Sequence, residues 1–310
     1  MRAGRGLEMS SNGAAESSRR SSSRMDGGLR WSGMMGRASL LALALVLGCS
    51  KTGSEATPAA SGSAAPPLGQ DDLASSNVDS VLGRGVPLVR VTKTAIELVG
   101  DPSGRVALPP RERWGEGIDA AFKPGGASDP YLEPLSAALG RAKRGAVTAI
   151  SFDRALPQRI VGEVLHTAAH AGYATAHLVV RRPDGRVGFL ALTLPPSKRP
   201  EKASSTAVSV FVTAHGLSVK TDRGNMKAGC AEPGPGMTLP FGPSGLDFEG
   251  LRACAGKLRA SMAETPERHQ VTIMANPDIV FADLVRVMDA LRDDGAGHAL
   301  FPDVVMGMMR

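Results

Sequence analysis

The chain has 310 residues, and its 36 Lys and Arg outnumber its 30 Asp and Glu, which gives a formal net charge of +6. Much of this positive charge comes from arginines in the first 48 residues, so the remainder of the chain is closer to neutral. Aromatic residues make up 4 % of the chain, and no basic run is interleaved with aromatic side chains that could stack on bases. The composition therefore argues against a nucleic-acid partner.

A short apolar run marks the end of a leader. It covers residues 38–48, about half of the ~20 residues that a membrane-spanning helix needs, and Arg30 and Arg37 precede it. This arrangement is typical of a signal peptide, so we treat residues 1–48 as a leader and leave them out of the fold. A buried core helix is an alternative, although a tail of Ser, Gly, Ala and Pro follows the run at once.

The sequence Val-Leu-Gly-Cys at residues 46–49 spans the end of the leader and resembles the cleavage motif of bacterial lipoproteins. In that family the cysteine becomes the first mature residue and carries lipid. The resemblance implies lipidation of Cys49 and attachment to the periplasmic face of the cell envelope. Ser50 stands where many lipoproteins retained at the inner membrane of enteric bacteria have an aspartate, which favours the outer membrane. A plain secretory signal with an incidental cysteine is the alternative.

Composition divides the rest of the chain into a tether and two globular parts. Residues 49–86 are mainly Ser, Ala, Gly, Pro and Thr, which cannot bury enough apolar surface to offset their ordering entropy, so we predict a flexible tether. Residues 197–206 form a charged, proline-containing linker. The predicted modules are therefore residues 87–196 and residues 207–310.

The first module opens with alternating apolar and polar residues at 89–99, which predict a half-buried strand and its hairpin partner. A helix follows, with Asp129 as its predicted cap. A strand, a second helix that ends at Gly172 and another strand come next. An Asp-Gly turn predicts a hairpin at 181–194, whose outer strand would leave an exposed edge for a partner strand.

The second module repeats this order of parts. Alternation at 208–219 predicts the strand pair, and Ser244 and Asp247 have the spacing of a capping box before the first helix. A strand, a helix that ends at Gly295 and a final strand follow. The sequence therefore predicts an α/β (α+β) fold of two tandem β-β-α-β-α-β modules.

Two cysteines of the second module remain once Cys49 is assigned to lipid. Cys230 lies in a loop dense in Gly and Pro at 229–245, and Cys254 lies on the helix that follows. An exported protein meets an oxidising environment, which favours a disulfide between them. Such a bond would stabilise the fold by about 3 kcal/mol on the chain-entropy model. Two buried free thiols are the alternative.

The last helix and the strand before it carry a family resemblance. The segment VTIMANPDIVFADLVRVMDALRDDG at 271–295 is similar to the periplasmic domain of ExbD/TolR biopolymer-transport proteins. The shared features are an aromatic residue after the strand (Phe281), an aliphatic pair three residues later, a Val-Met-Asp that ends at Asp289, and a helix-ending glycine. The first module is a weaker copy, with His166 where Asp289 stands.

The resemblance implies a role at the envelope and not a motor. Members of that family act as dimers through this domain, and an aspartate in their membrane-spanning helix takes part in proton-driven motion. The only apolar segment of this chain contains no acid. We therefore expect a non-catalytic binding or scaffolding accessory of a Ton/Tol-like envelope transport system, with the two modules paired as an intramolecular pseudo-dimer. Binding of peptidoglycan or a small ligand without a motor partner is the alternative.

Four charged residues of the last helix are the candidate partner-binding residues. Asp283, Arg286, Asp289 and Arg292 are predicted to lie on the solvent side of that helix, with helix-spaced charge pairs. A plain solvated face is the simpler interpretation, and the family resemblance adds the partner-binding one.

The sequence offers little for catalysis or for metal binding. It has no Gly-x-Ser-x-Gly elbow, no His-Glu-x-x-His motif and no phosphate-binding glycine loop. Glu163, His166 and His170 could share a helical face at a spacing that suits a metal. Solvated histidines at the rim of the helix are the simpler interpretation. We predict no enzyme activity, no cofactor and no metal.

Overall fold

The structure is a computed structural model that describes residues 72–76, 85–195, 208–262 and 269–308. Predictions about the leader, about Cys49 and about the linker at 197–206 lie outside the described residues and stay predictions. In chain order the elements are β1 (Leu88–Val91), β2 (Ala95–Leu98), β3 (Asp101–Ala107), α1 (Glu133–Ala142), β4 (Val147–Phe152), α2 (Gln158–His170), β5 (Thr175–Arg181), β6 (Val187–Thr193), β7 (Val208–Thr213), β8 (Gly216–Thr221), β9 (Gly224–Asn225), β10 (Leu239–Pro240), α3 (Phe248–Ser261), β11 (Gln270–Ala275), α4 (Phe281–Arg292) and β12 (Asp303–Met308).

Twelve strands form one mixed sheet, and the fold is therefore mixed α/β. The strand order is β10-β8-β7-β11-β12-β6-β5-β4-β1-β2-β3, and β9 pairs with β8. β1 is antiparallel to β2 and parallel to β4, and β4 is parallel to β5. In the same way, β7 is antiparallel to β8 and parallel to β11, and β11 is parallel to β12. The two halves of the chain thus share one order of strand pairing.

Strand side chains alternate between the main core and a second face of the sheet. On β7, Val208, Val210 and Val212 are buried, whereas Ser209 and Phe211 are half-buried. The buried set packs with residues of all four helices in one hydrophobic core. A separate small cluster lies on the second face and consists of Leu73, Ala149 and Val179. This alternation is why the helices cover one face of the sheet.

The hairpin of β5 and β6 has the predicted form, and its predicted free edge is covered at one end. β6 pairs in parallel with β12 through Thr193 and Val305. The Arg292 side chain donates a hydrogen bond from Nη1 to the Ala191 carbonyl of β6, at 2.9 Å. The predicted exposed edge is thus covered at the C-terminal end of β6, because the second half of the chain docks there, which no local pattern could indicate.

α1 begins later than the sequence predicted. Its first residue is Glu133, with Leu132 in the N-cap position. Asp129 does not cap this helix; its carboxylate accepts hydrogen bonds from the Gly125 and Tyr131 amides at 2.9 Å each. It therefore organises the turn before the helix instead.

Residues 72–76, which the sequence assigned to the tether, pair with the sheet. Leu73 forms a β-bridge with Asp153 at the end of β4, and Ser75 forms one with Arg181 at the end of β5. The Ser76 hydroxyl donates a hydrogen bond to Asp289 at 2.6 Å. This short segment therefore contacts both halves of the fold.

The segments that lead into α2 and α4 pair with each other. Pro157 and Val280, the N-cap residues of the two helices, form an antiparallel bridge. The Phe281 amide donates to the Leu156 carbonyl at 2.7 Å, and the rings of Phe281 and Phe152 lie 4.9 Å apart between centroids. Equivalent segments of the two halves thus meet at a common junction.

Across the described ranges, none of the helices combines the length and the apolar character needed to span a membrane.

Candidate functional site

Two of the four candidate partner-binding residues of α4 remain accessible. Arg286 is exposed, and its guanidinium lies 3.8 Å from the ring centroid of Phe248 on α3. Asp283 is half-buried, and its desolvation raises its pKa above the ordinary value, an effect that nearby Arg286 opposes. These two side chains offer one cation and one acid near the junction of α3 and α4.

The other two residues are engaged inside the fold. Asp289 is 8 % exposed and accepts the hydrogen bond from Ser76, so the prediction that it faces solvent was wrong. Burial lowers the pKa of Arg292, although the nearby carboxylates of Asp289, Asp303 and Asp293 act in the opposite direction. Segments remote in sequence cover this side of α4. The four residues therefore do not form one exposed patch.

Glu163 lies at the centre of a buried cluster of charged side chains. The sequence had suggested it as a possible metal ligand together with His166 and His170. Its Oε1 lies 2.7 Å from Lys123 Nζ, and the two side chains are 2 % and 0 % exposed. Its Oε2 accepts the Ile118 amide at 3.0 Å, and Arg159 Nε lies 2.9 Å from Oε1. Glu163 therefore fixes the long segment between β3 and α1 to helix α2.

The two histidines of the same helix contact aromatic rings. The His170 ring lies 4.8 Å from the Tyr131 ring and 5.8 Å from the His166 ring. Within the ranges that the structure describes, no three His, Cys, Asp or Glu side chains gather as metal ligands would. A small cavity of about 40 Å³ lies beside the cluster, and Gln158 Oε1, which has no hydrogen-bond partner, belongs to a residue that lines it.

The structure brings Cys230 and Cys254 together. Their sulfur atoms lie at disulfide distance, and their Cα atoms are 5.2 Å apart, within the range of about 4.4–6.8 Å that disulfides span. Cys254 lies on the buried face of α3, and Cys230 belongs to the loop dense in Gly and Pro. The pair that the sequence favoured thus joins this loop to the helix.

Cys230 has an unusual backbone conformation. Its φ is 56°, and it is the one non-glycine residue with positive φ among the described residues. Gly229 before it has a φ of 76°. A non-glycine residue in the left-handed region costs about 1–3 kcal/mol and persists where the surroundings impose it; such residues cluster at ligand clamps and active sites. The strained turn therefore marks the space beside the disulfide as a candidate ligand site.

A cavity of about 310 Å³ lies there, which we call the disulfide pocket. Its floor consists of the buried residues Met226, Cys230 and Leu258, and the half-buried Met262 adds to its apolar wall. The side chains of Asp222, Arg223 and Lys257 lie around its opening. The volume is at the lower end of the roughly 300–1,000 Å³ of small-molecule pockets.

Hydrogen bonds position the walls of the disulfide pocket. The Lys257 ammonium donates to the Gly229 carbonyl at 2.9 Å, which ties α3 to the strained turn a second time. Thr238 donates from its hydroxyl to the Met226 carbonyl at 2.7 Å and accepts the Val219 amide at 2.9 Å. The pocket walls are therefore fixed by contacts from α3, from the loop and from β8.

Sequence reasoning missed this pocket. The cysteine pair indicated that the loop and α3 are close, but it gave no sign that Arg223, at the turn after β8, faces the same space. Comparisons of the chain with family models, with curated proteins and with solved structures found no match.

Proposed function

We propose that this chain is a lipid-anchored, non-catalytic binding protein of the cell envelope, with two tandem modules of the ExbD/TolR periplasmic type. The observation that carries the proposal is the shared strand order of the two halves, each with a β-hairpin, a helix, a parallel strand, a second helix and a further parallel strand. This order supports the β-β-α-β-α-β modules that the sequence indicated.

The junction between the halves supports an intramolecular pseudo-dimer. In the resembling family two chains pair through this domain, and here equivalent segments of one chain pair through Pro157 and Val280. The adjoining strands β6 and β12 extend the sheet from one half into the other. A chain that supplies both halves of the pair itself has no need of a second copy.

The oligomeric state tests the pseudo-dimer. Size-exclusion chromatography with light scattering on the purified protein is expected to give the mass of a monomer at micromolar concentration. An obligate dimer would contradict the pseudo-dimer.

The lipid anchor is tested by replacing Cys49 with Ser and fractionating cells. The proposal requires the variant to leave the membrane fraction.

The role in an envelope transport system is tested by proximity labelling from the folded part of the chain. Enrichment of inner-membrane motor subunits of a Ton/Tol-like system supports it. A labelled set without such subunits contradicts it.

The proposal of a non-catalytic role rests on the absence of catalytic motifs from the sequence and on the use of Glu163 in an ion cluster.

A second candidate function is ligand binding without a motor partner, including binding of peptidoglycan. The disulfide pocket favours it, because its volume, its apolar floor and its charged opening are features of small-molecule sites. Co-sedimentation of the purified protein with peptidoglycan sacculi tests the cell-wall form of this function, and a protein that stays in the supernatant contradicts that form.

A further inference from the structure

We propose that the disulfide pocket binds a small amphiphilic anion, a molecule that joins one carboxylate to a short apolar body. The inference rests on the second candidate function, ligand binding, and is independent of the resemblance to the ExbD/TolR family. Three observations carry it: the apolar floor, the two cations at the opening and the strained turn that shapes the wall.

The floor suits an apolar group. Met226 and Leu258 are each 5 % exposed and Cys230 is 4 % exposed, so the buried lining side chains present thioether, aliphatic and sulfur surface. The hydroxyl residues Thr221 and Ser261 also line the pocket. Such surface releases water on contact with hydrocarbon, and methionine side chains adapt their shape to the guest. An apolar body entering the pocket would meet no buried charge on the floor.

The opening suits a carboxylate. Arg223 and Lys257 are exposed, and both line the pocket. The Lys257 ammonium donates one hydrogen bond to the Gly229 carbonyl, and an ammonium has two further donors. An arginine fork matches the two oxygens of a carboxylate, and an ammonium adds a second charged donor. Asp222 at the same opening would repel a carboxylate, so replacing Asp222 with a neutral residue tests the sign of the ligand's charge.

The wall is organised before any ligand arrives. Cys230 keeps its left-handed backbone because the bond to Cys254 and the hydrogen bond from Lys257 to Gly229 hold the turn on α3. A preorganised wall loses little conformational entropy on binding, which favours affinity for a small ligand. Strain of this kind is found at ligand clamps.

The test uses octanoate as the amphiphilic anion and octanamide as its uncharged counterpart. The full chain is labelled with ¹³C at the methionine methyl groups, and the Met226 and Met262 signals are assigned with Met→Leu variants. We expect octanoate to shift both signals saturably and octanamide to bind at least about tenfold more weakly. Unshifted signals, or equal binding of the two compounds, would overturn the proposal.

Charge variants separate a specific site from general attraction. Arg223→Gln is expected to weaken octanoate binding about fivefold, and Asp222→Asn is expected to strengthen it, as single charges at an exposed rim do. Lys257→Gln is expected to weaken binding at least as much as Arg223→Gln, because it also removes the hydrogen bond to the Gly229 carbonyl. Arg105→Gln is the matched control, because Arg105 is an exposed cation on β3 outside the pocket lining. Equal effects of all three cation variants contradict the assignment.

A filling variant distinguishes lost binding from lost folding. Ala231 is exposed and lines the pocket, so Ala231→Phe should block octanoate without lowering the thermal unfolding temperature. Unchanged octanoate binding in this variant would overturn the assignment of the pocket. An acetylated dipeptide with a free carboxylate, compared with its amide, then shows whether the natural anion is closer to a peptide end or to a lipid. The co-sedimentation with peptidoglycan tests the second candidate function separately, because its result does not depend on whether octanoate binds in the disulfide pocket.

Discussion

At the scale of single residues, Glu163 shows how a charged side chain serves the fold. It lies on helix α2, whose apolar face is buried. Its carboxylate forms ion pairs with Lys123 and Arg159 and accepts a hydrogen bond from the Ile118 amide. Desolvation of a carboxylate is costly, and only this complete set of partners offsets it. Removing one partner leaves an uncompensated buried charge.

We expect Glu163→Gln to lower the free energy of unfolding by about 3–5 kcal/mol, because it leaves Lys123 buried and unpaired. Urea denaturation measures the change. The control is Glu116→Gln, which breaks the exposed pair with Arg113 and should leave the free energy of unfolding nearly unchanged. Equal losses in the two variants would contradict the structural role of Glu163.

His177 predicts a pH dependence of stability. It lies on β5, its Nδ1 is buried without a hydrogen-bond partner, and desolvation lowers its pKa below the ordinary 6.5. The unfolded chain therefore binds more protons than the folded one between these two pKa values. The contribution of the neutral ring to stability is present above pH 6.5 and is lost as the pH falls towards the folded-state pKa.

The pH prediction is tested by urea unfolding between pH 7 and pH 5. The wild type is expected to lose more stability over this range than His177→Gln, which has no imidazole to protonate. An NMR titration of the His177 ring should give a midpoint below 6.5. A midpoint above that value, or equal slopes in the two proteins, rules out the proposed cause.

At the scale of elements, the disulfide joins a regular helix to an irregular loop. α3 is a regular helix that Asp247 caps through the Gly250 amide, at 2.8 Å. The loop before it is irregular around Cys230 and is attached to α3 by the disulfide and by the hydrogen bond from Lys257 to the Gly229 carbonyl. The bond closes a loop with a sequence separation of 24 residues.

We expect Cys230→Ser combined with Cys254→Ser to lower the free energy of unfolding by about 3 kcal/mol, because the unfolded chain regains the freedom that the bond removes. Urea denaturation with and without dithiothreitol measures this effect. The wild type should lose stability in the reductant, while the double variant should not respond to it. A wild type that is indifferent to reduction would contradict a stabilising disulfide.

Local sequence patterns predicted the strands and helices better than they predicted the tertiary contacts between them. The hairpin of β1 and β2 and the helix α4 follow from alternation and from helical periodicity, which act over a few residues. The burial of Asp289 does not, because its partner Ser76 is 213 residues away in the chain. The edge of β6 and the disulfide pocket likewise arise where remote segments meet.

At the scale of the whole molecule, the two halves are expected to unfold together. Phe281 is fully buried at the junction, its ring lies against Phe152 of the other half, and its amide bonds to Leu156. The continuous sheet adds a second connection through β6 and β12. Contacts of this kind couple the stability of each half to that of the other.

We expect Phe281→Ala to lower the free energy of unfolding by about 3–5 kcal/mol, as large-to-small changes in a core do. Hydrogen exchange should then show faster exchange in β4 as well as in β11, since the junction belongs to both halves. Phe241→Ala is the control, because Phe241 is 54 % exposed and its loss should change little. Faster exchange confined to one half would disprove the coupling.

The segment 72–76 has a mechanical consequence. Its backbone hydrogen bonds join Asp72 to Arg154 and Ala74 to Arg181, each at 2.8 Å, and its last residue bonds to Asp289 of the other half. Tension applied through the preceding chain would be divided among the ends of β4 and β5 and helix α4 before it reached β1. These contacts would spread such a force over both halves at once and would keep it from peeling the first strand from the sheet.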